Sequence, residues 1–259
     1  MKSVKKNNSN LFYPMLSFVS VILLIGLWLY IAGRSDFPGP HDVWARMMMM
    51  FEFPIKGLNI FGHLLASLKR VLIALAFCWT AGLGFGIMLG WNQRLRAFFE
   101  PMFSAFRAVP PLAWIPLITL WFGIGEFPKV LIVIIGGLPP VVVNTQAGIA
   151  NIAQIYMDVG TIFHVNKRQR LFQIALPSAL DAIFAGIKNS TSSAWMVVLA
   201  AEMLGGKSGV GFLISRGTDS MDMPMMLLSM IAIGIVSAVL AIILNTIERV
   251  SCPWLRKGK

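Results

Sequence analysis

The sequence predicts an all-α fold, a polytopic membrane helix bundle of about six transmembrane helices. Three observations lead there. Hydrophobic residues make up 57% of the 259-residue chain and charged residues only 13%, against about 25% charged in soluble domains; mean hydropathy is +0.74. The apolar residues gather in blocks of about 20, the length that crosses a hydrocarbon core. The basic residues lie mostly in the polar gaps between blocks, where orientation signals belong. A water-soluble globule is excluded, since its surface could not be covered, and a disordered chain fails on the same numbers. The net charge of +11 is spread over those gaps and points to no nucleic-acid partner.

The elements follow in order. The first span covers 11–32. Lys2, Lys5 and Lys6 precede it as they would a signal peptide, but it is longer than an h-region of about 7–15 residues and no A-x-A-like site follows, so it reads as a retained helix. The second is 71–90, with Lys69 and Arg70 at its edge able to snorkel. The third, 102–122, is interrupted by Arg107, Pro110, Pro111 and Pro116. The fourth covers 130–150, the fifth 177–201 and the sixth 223–247. Pro177 suits the first turn of the fifth. What remains, chiefly 33–70, 151–176 and 202–222, is too short for a soluble domain, so 1–259 reads as one transmembrane domain. With the N-terminus inside, 13 basic residues fall on the cytoplasmic side and 8 outside. That bias places both termini in the cytoplasm and the 151–176 loop with them. No internal repeat stands out, which weakens an inverted-repeat carrier.

Four local patterns carry chemistry or packing. Gly82, Gly86 and Gly90 line one helix face and allow close helix approach, either within the chain or as a dimer seam. Gly206-Lys207-Ser208 resembles the end of a phosphate-binding loop, but Ala201 stands where the pattern needs glycine, and no strand precedes it. On the fifth span, Lys188, Ser192, Trp195, Leu199 and Glu202 share a face at 3–4 spacing. An ionisable residue about 16 Å along a membrane helix is costly. It lines a translocation path or makes a structural contact, for example Lys188 with Asp181. In the 151–176 loop, Val159, Ile162 and Phe163, then Leu171, Phe172 and Ile174, form apolar faces around the basic run Lys167–Arg170. Such faces need a cover, either lipid or a partner protein. Cys78 lies in an apolar block and Cys252 in the tail, so no disulfide is expected. The three separated histidines have no metal-ligand spacing, and no nucleophile–base cluster points to an enzyme.

The same loop resembles the E-A-A-x(3)-G-x(9)-I-x-L-P segment of permease subunits of binding-protein-dependent ABC importers. Leu176-Pro177 anchors the alignment, with Ile174 on the isoleucine, Asp158-Val159-Gly160 on E-A-A, and His164 on the glycine. FPGPHDVWARM at 37–47, RAVPPLAWIPLITLWFGIGEFPKVLIV at 107–133 and AWMVVLAAEMLGGKSGVGFLI at 194–214 look like further segments of that family, and Lys188 falls where it commonly has arginine. The resemblance implies a type I ABC importer permease fold in a bacterial inner (cytoplasmic) membrane. It implies a homodimer of permease subunits, two ATPase subunits below and an extracytoplasmic solute-binding protein above. ATP and Mg would act in the partner, with no cofactor on this chain. A loop helix at about 158–172, carrying Asp158, Val159, Gly160, Ile162, Phe163, His164, Lys167 and Arg168 towards Leu176 and Pro177, would sit in a cleft of the ATPase. The branch resembled carries aliphatic sulfonates, taurine, nitrate, cyanate or bicarbonate, and some members carry thiamine precursors. The competing class is a self-contained channel or secondary carrier.

Overall fold

The computed structural model describes residues 9–253; the basic residues Lys2, Lys5, Lys6, Arg256, Lys257 and Lys259, counted above for orientation, lie outside them. The order is α1 (Ser9–Ala32), α2 (Pro40–Glu52), α3 (Ile60–Trp91), α4 (Gln93–Ala108), a 3-10 turn (Pro111–Trp114), α5 (Ile115–Phe122), α6 (Glu126–Ala150) and α7 (Gln154–Ile162). After these come α8 (Lys167–Gln169), a π-helical turn (Arg170–Ala175), α9 (Leu176–Met203), α10 (Val210–Asp219) and α11 (Met223–Ser251). Among the described residues, α3, α6, the run Lys167–Met203 and α11 are long and apolar enough to cross a membrane. The pair α4–α5 makes a fifth span if its halves count as one, and α1 adds an apolar stretch over Phe18–Ala32.

The core is a three-helix layer with α6 in the middle. Val71, Ala74 and Leu75 of α3, Ile132 and Val133 of α6, and Ala194, Trp195 and Val198 of α9 form one buried cluster, joined by Ile115 and Ile118 of α5. Small residues let the backbones meet. A Cβ built on Gly82 would stand 3.0 Å from Val141, on Gly86 2.7 Å from Thr145, and on Gly90 2.8 Å from Ile149. The glycine stripe is therefore packed within the chain, and α6 presents a ridge at matching four-residue spacing. On its other side, Gly148 meets Ala182, and Gly186 meets Asn144. A second cluster joins α2, α10 and α11 through Val43, Met50, Leu213, Met225 and Leu228. Arg46 of α2 pairs there with Asp222, which also caps α11.

Two expectations change and one holds. The second span begins at Ile60 rather than 71. Its first turns carry His63, Ser67 and Arg70, which hydropathy reads as a gap, but all three are buried against other helices. Arg70 does not snorkel; only Lys69 is exposed. The third span is broken at its prolines as expected, into two helices bent by 83°. Pro110 and Pro111 withhold backbone donors and push the preceding residue out of the helical region. Finally, Pro177 lies in the first turn of α9 as expected, but the span does not start there. The helix runs on from Lys167, and the π-helical turn immediately before Pro177 loosens the ladder where a proline has no N–H and its ring crowds the carbonyl four residues back.

Candidate functional site

At the end of the bundle where α6 ends and α9 begins, α7 stands clear of the core. It starts at Gln154, so Asp158 lies one turn inside the helix rather than at its positive end, and accepts a hydrogen bond from Gln154 at 2.9 Å. The helix closes on a left-handed residue, His164, at φ 51°. Val165 N–H donates to Gly160 O and His164 N–H to Thr161 O, both at 3.0 Å, the paired bonds of a Schellman stop. Gly160 allows a close approach: a Cβ there would come 2.7 Å from Ile174 Cδ1, whose side chain would have to shift. That contact sets α7 against the π-helical turn.

The loop helix expected at about 158–172 is thus two helices with a sharp corner at 163–166. Lys167 and Arg168 open α8, which Asn166 caps through Gln169, while Leu176 and Pro177 sit half-buried where α9 takes over. Val159 is exposed, and Ile162 and Phe163 are 73% and 76% exposed. Ile155 and Tyr156 are exposed too and widen the apolar surface of α7 beyond the residues singled out from sequence. A non-glycine left-handed residue costs about 1–2 kcal/mol, partly offset by the greater chain entropy of glycine. His164→Gly is expected to raise stability by about 0.5–1 kcal/mol without loss of function, read as a small rise in the thermal midpoint of the purified protein. A fall would show that the His164 side chain has a role of its own.

The four residues proposed for a path part company. Ser192 is exposed on α9, Trp195 is packed in the core, and Glu202 is fully buried. Lys188 is ion-paired, not with Asp181 but with Glu248 of α11.

Glu202 belongs instead to a cluster at the opposite end of the bundle, among residues that the sequence left unconnected. Arg70 is 3% exposed and uses all five of its N–H groups. Nε and Nη2 donate to the two oxygens of Glu126 at 2.6 and 2.8 Å. Nη1 donates to Glu202 at 2.6 Å and to Ser208 O at 3.1 Å, and Nη2 also to Ser208 Oγ at 2.7 Å. Glu202 further accepts from the Ser67 hydroxyl at 2.8 Å and from Gly211 N–H at 3.0 Å. Lys129 adds a second cation on Glu126 at 3.2 Å, so two cations face two carboxylates. His63 Nδ1 accepts from Gly209 N–H at 3.1 Å, which leaves Nε2 to donate to Ile55 O. Gly209 has φ +110°, and a Cβ there would fall 2.3 Å from the Glu202 carboxyl carbon, so only glycine fits. The cluster ties the starts of α3, α6 and α10 to the end of α9. Its one trace in the sequence, the spacing of His63, Ser67 and Arg70 on one helical face, falls in a stretch that hydropathy reads as a gap.

The family model described as "Binding-protein-dependent transport system inner membrane component" matches residues 82–257, about two-thirds of the chain. The chain belongs to this family. It is a permease subunit of the binding-protein-dependent ABC importer class, with membrane-spanning helices that suit an inner-membrane component. The taurine transport system permease protein TauC of Escherichia coli (strain K12) is 30% identical to this permease over 245 residues, covering 92% of this chain and 89% of its own length. The nitrate import permease protein NrtB of Synechocystis sp. (strain ATCC 27184 / PCC 6803 / Kazusa) is 28% identical over 248 residues, covering 92% and 90%. In three dimensions the permease fold is similar to a chain of the MetNI methionine ABC transporter in an inward-facing conformation. The TM-score is 0.61 at 17% identity, over 72% of this chain and 93% of that one.

Proposed function

We propose that this permease forms the membrane pathway of an ATP-driven importer for a small anion such as an aliphatic sulfonate or taurine. It works as a homodimer, with both termini in the cytoplasm. Two ATPase subunits bind ATP and Mg below it, and an extracytoplasmic binding protein delivers substrate above. Nitrate, cyanate, bicarbonate or a thiamine precursor are the other cargoes consistent with the resemblance and with relatives named for taurine and nitrate. Affinity of the binding protein for each decides among them.

The observation that carries the reading is the apolar surface of α7, held out by the turn at His164. Exposed apolar area is unfavourable in water by about 25 cal/mol per Å². Phe163 and Ile162 crown a helix that is braced from behind by the Gly160–Ile174 contact, as a docking element requires. Asp158, Val159, Lys167 and Arg168 flank it. Phe163→Ala should weaken capture of the ATPase subunit by about 1–3 kcal/mol, as for a central anchor, and lower binding-protein-stimulated ATP hydrolysis in liposomes. Undiminished capture and stimulation by a membrane-inserted Phe163→Ala would remove α7 from the coupling surface and favour a self-contained carrier.

A further inference from the structure

One face of α9 is left uncovered by the rest of the chain. Asn189, Ser192 and Met196 are exposed along it at helical spacing, while Ala194, Val197 and Val198 on the other side are buried in the core. The open face is polar where it crosses the apolar span. The Asn189 amide makes no hydrogen bond among the described residues, and Ser192 only donates back to Lys188 O at 3.2 Å. An uncovered amide against acyl chains is costly, so this face is suited to water rather than lipid. Lys188 stands at its edge, beside Asn189. The partner of Lys188, Glu248, lies three residues before the end of α11, so the ion pair sits towards that end of the bundle. The two side chains are 32% and 18% exposed, neither sealed off nor free.

We infer that the Asn189–Ser192 face of α9 lines the substrate route, and that Glu248 neutralises Lys188 at its inner mouth so that anions are released rather than held. This rests on the importer reading above and deepens it. A permeating ion must bind well enough to enter and weakly enough to leave. Asn189 and Ser192 supply neutral hydrogen-bonding groups, which replace part of the hydration shell of an oxyanion or sulfonate without fixing it. A bare ammonium in the same confined place would retain the anion. With its carboxylate partner it presents a dipole instead of a charge. Lys188 is on this account a masked charge.

The test needs neither the natural substrate nor the partner proteins. Cys78 and Cys252 are both buried, so Ser192→Cys introduces one accessible thiol. In inverted membrane vesicles it is treated with two small thiol reagents of equal reactivity, a methanethiosulfonate bearing a sulfonate and one bearing a quaternary ammonium. Both should react. Glu248→Gln should raise the sulfonate-to-ammonium rate ratio by about tenfold and Lys188→Met should lower it by about tenfold, the scale on which a lone charge concentrates counter-ions in a cleft. The double variant, neutral again, should return to within about threefold of the starting ratio. A purely structural ion pair would change both rates together and leave their ratio fixed. An unreactive thiol at 192, or a ratio indifferent to Glu248→Gln, overturns the inference. Failure of the importer reading looks different: the unaltered permease, assembled with its ATPase and binding protein, would show no ATP-driven uptake.

Discussion

Arg70→Leu is expected to leave little correctly folded protein in the membrane. The substitution removes five hydrogen bonds but keeps the carboxylate of Glu202, which has no exposed surface and would retain only Ser67 and Gly211 as donors. Removing one member of a buried ion pair costs about 3–5 kcal/mol, because the remaining charge is left uncompensated. That is a large share of the about 5–15 kcal/mol by which a domain is stable. The loss would spread, since the same guanidinium fixes Glu126 at the start of α6 and Ser208 in the turn before α10. Fluorescence-detected size exclusion of the solubilised protein should show the monodisperse peak reduced or absent. Glu202→Gln is the graded comparison. Arg70 keeps its bidentate bond to Glu126 and the amide oxygen can still accept from Gly211 N–H, so about 1–3 kcal/mol is at stake. A variant Arg70→Leu as stable as the parent would mean that the cluster is not closed in the native membrane.

The reason this cluster was not legible in the sequence is instructive. Composition and the 20-residue apolar blocks carry the fold class, because lipid demands that every backbone group be satisfied within the segment. The break in the third span is equally visible, since Pro110 and Pro111 act locally. Arg70 reads as a boundary because a hydropathy window responds to charge and knows nothing of its partner. Glu202 is 132 residues away and Glu126 is 56 away. Burying such charges reverses their meaning, from the end of a span to the lock on its first turns. The contact of Lys188 was hidden in the same way. Its partner is 60 residues on in α11 rather than seven residues back on its own helix. The π-helical turn at 170–175 has no composition of its own. The left-handed residue at 164 has no signal of its own either, since a histidine stands where the resembled segment carries glycine.

Gly86→Leu should separate the two central helices. A Cβ at this position would meet Thr145 Cβ at 2.7 Å and the Val142 carbonyl oxygen at 2.9 Å. The first neighbour is a branched side chain with restricted rotamers. The second is backbone, which moves only if α6 moves. Overpacking a filled core costs about 1–3 kcal/mol, occasionally more, and here the upper end applies because neither neighbour can rotate away. Gly84 provides the control on the same helix, since nothing lies within 4 Å of the Cβ it would gain. Both substitutions remove a glycine from a helix interior and raise its intrinsic helical preference by about the same amount. Only the contact with α6 distinguishes them. Gly84→Leu should keep the thermal midpoint of the parent in detergent, while Gly86→Leu should lower it by many degrees or prevent purification. Equal behaviour of the two would mean that α3 and α6 do not approach this closely. The consequence reaches beyond stability. α6 runs from the Glu126–Arg70 pair at one end to within three residues of α7 at the other, so displacing it would also shift the apolar surface of α7. A milder Gly86→Ala that still assembles should therefore show weaker coupling of ATP hydrolysis to transport, with the α7 residues themselves unchanged.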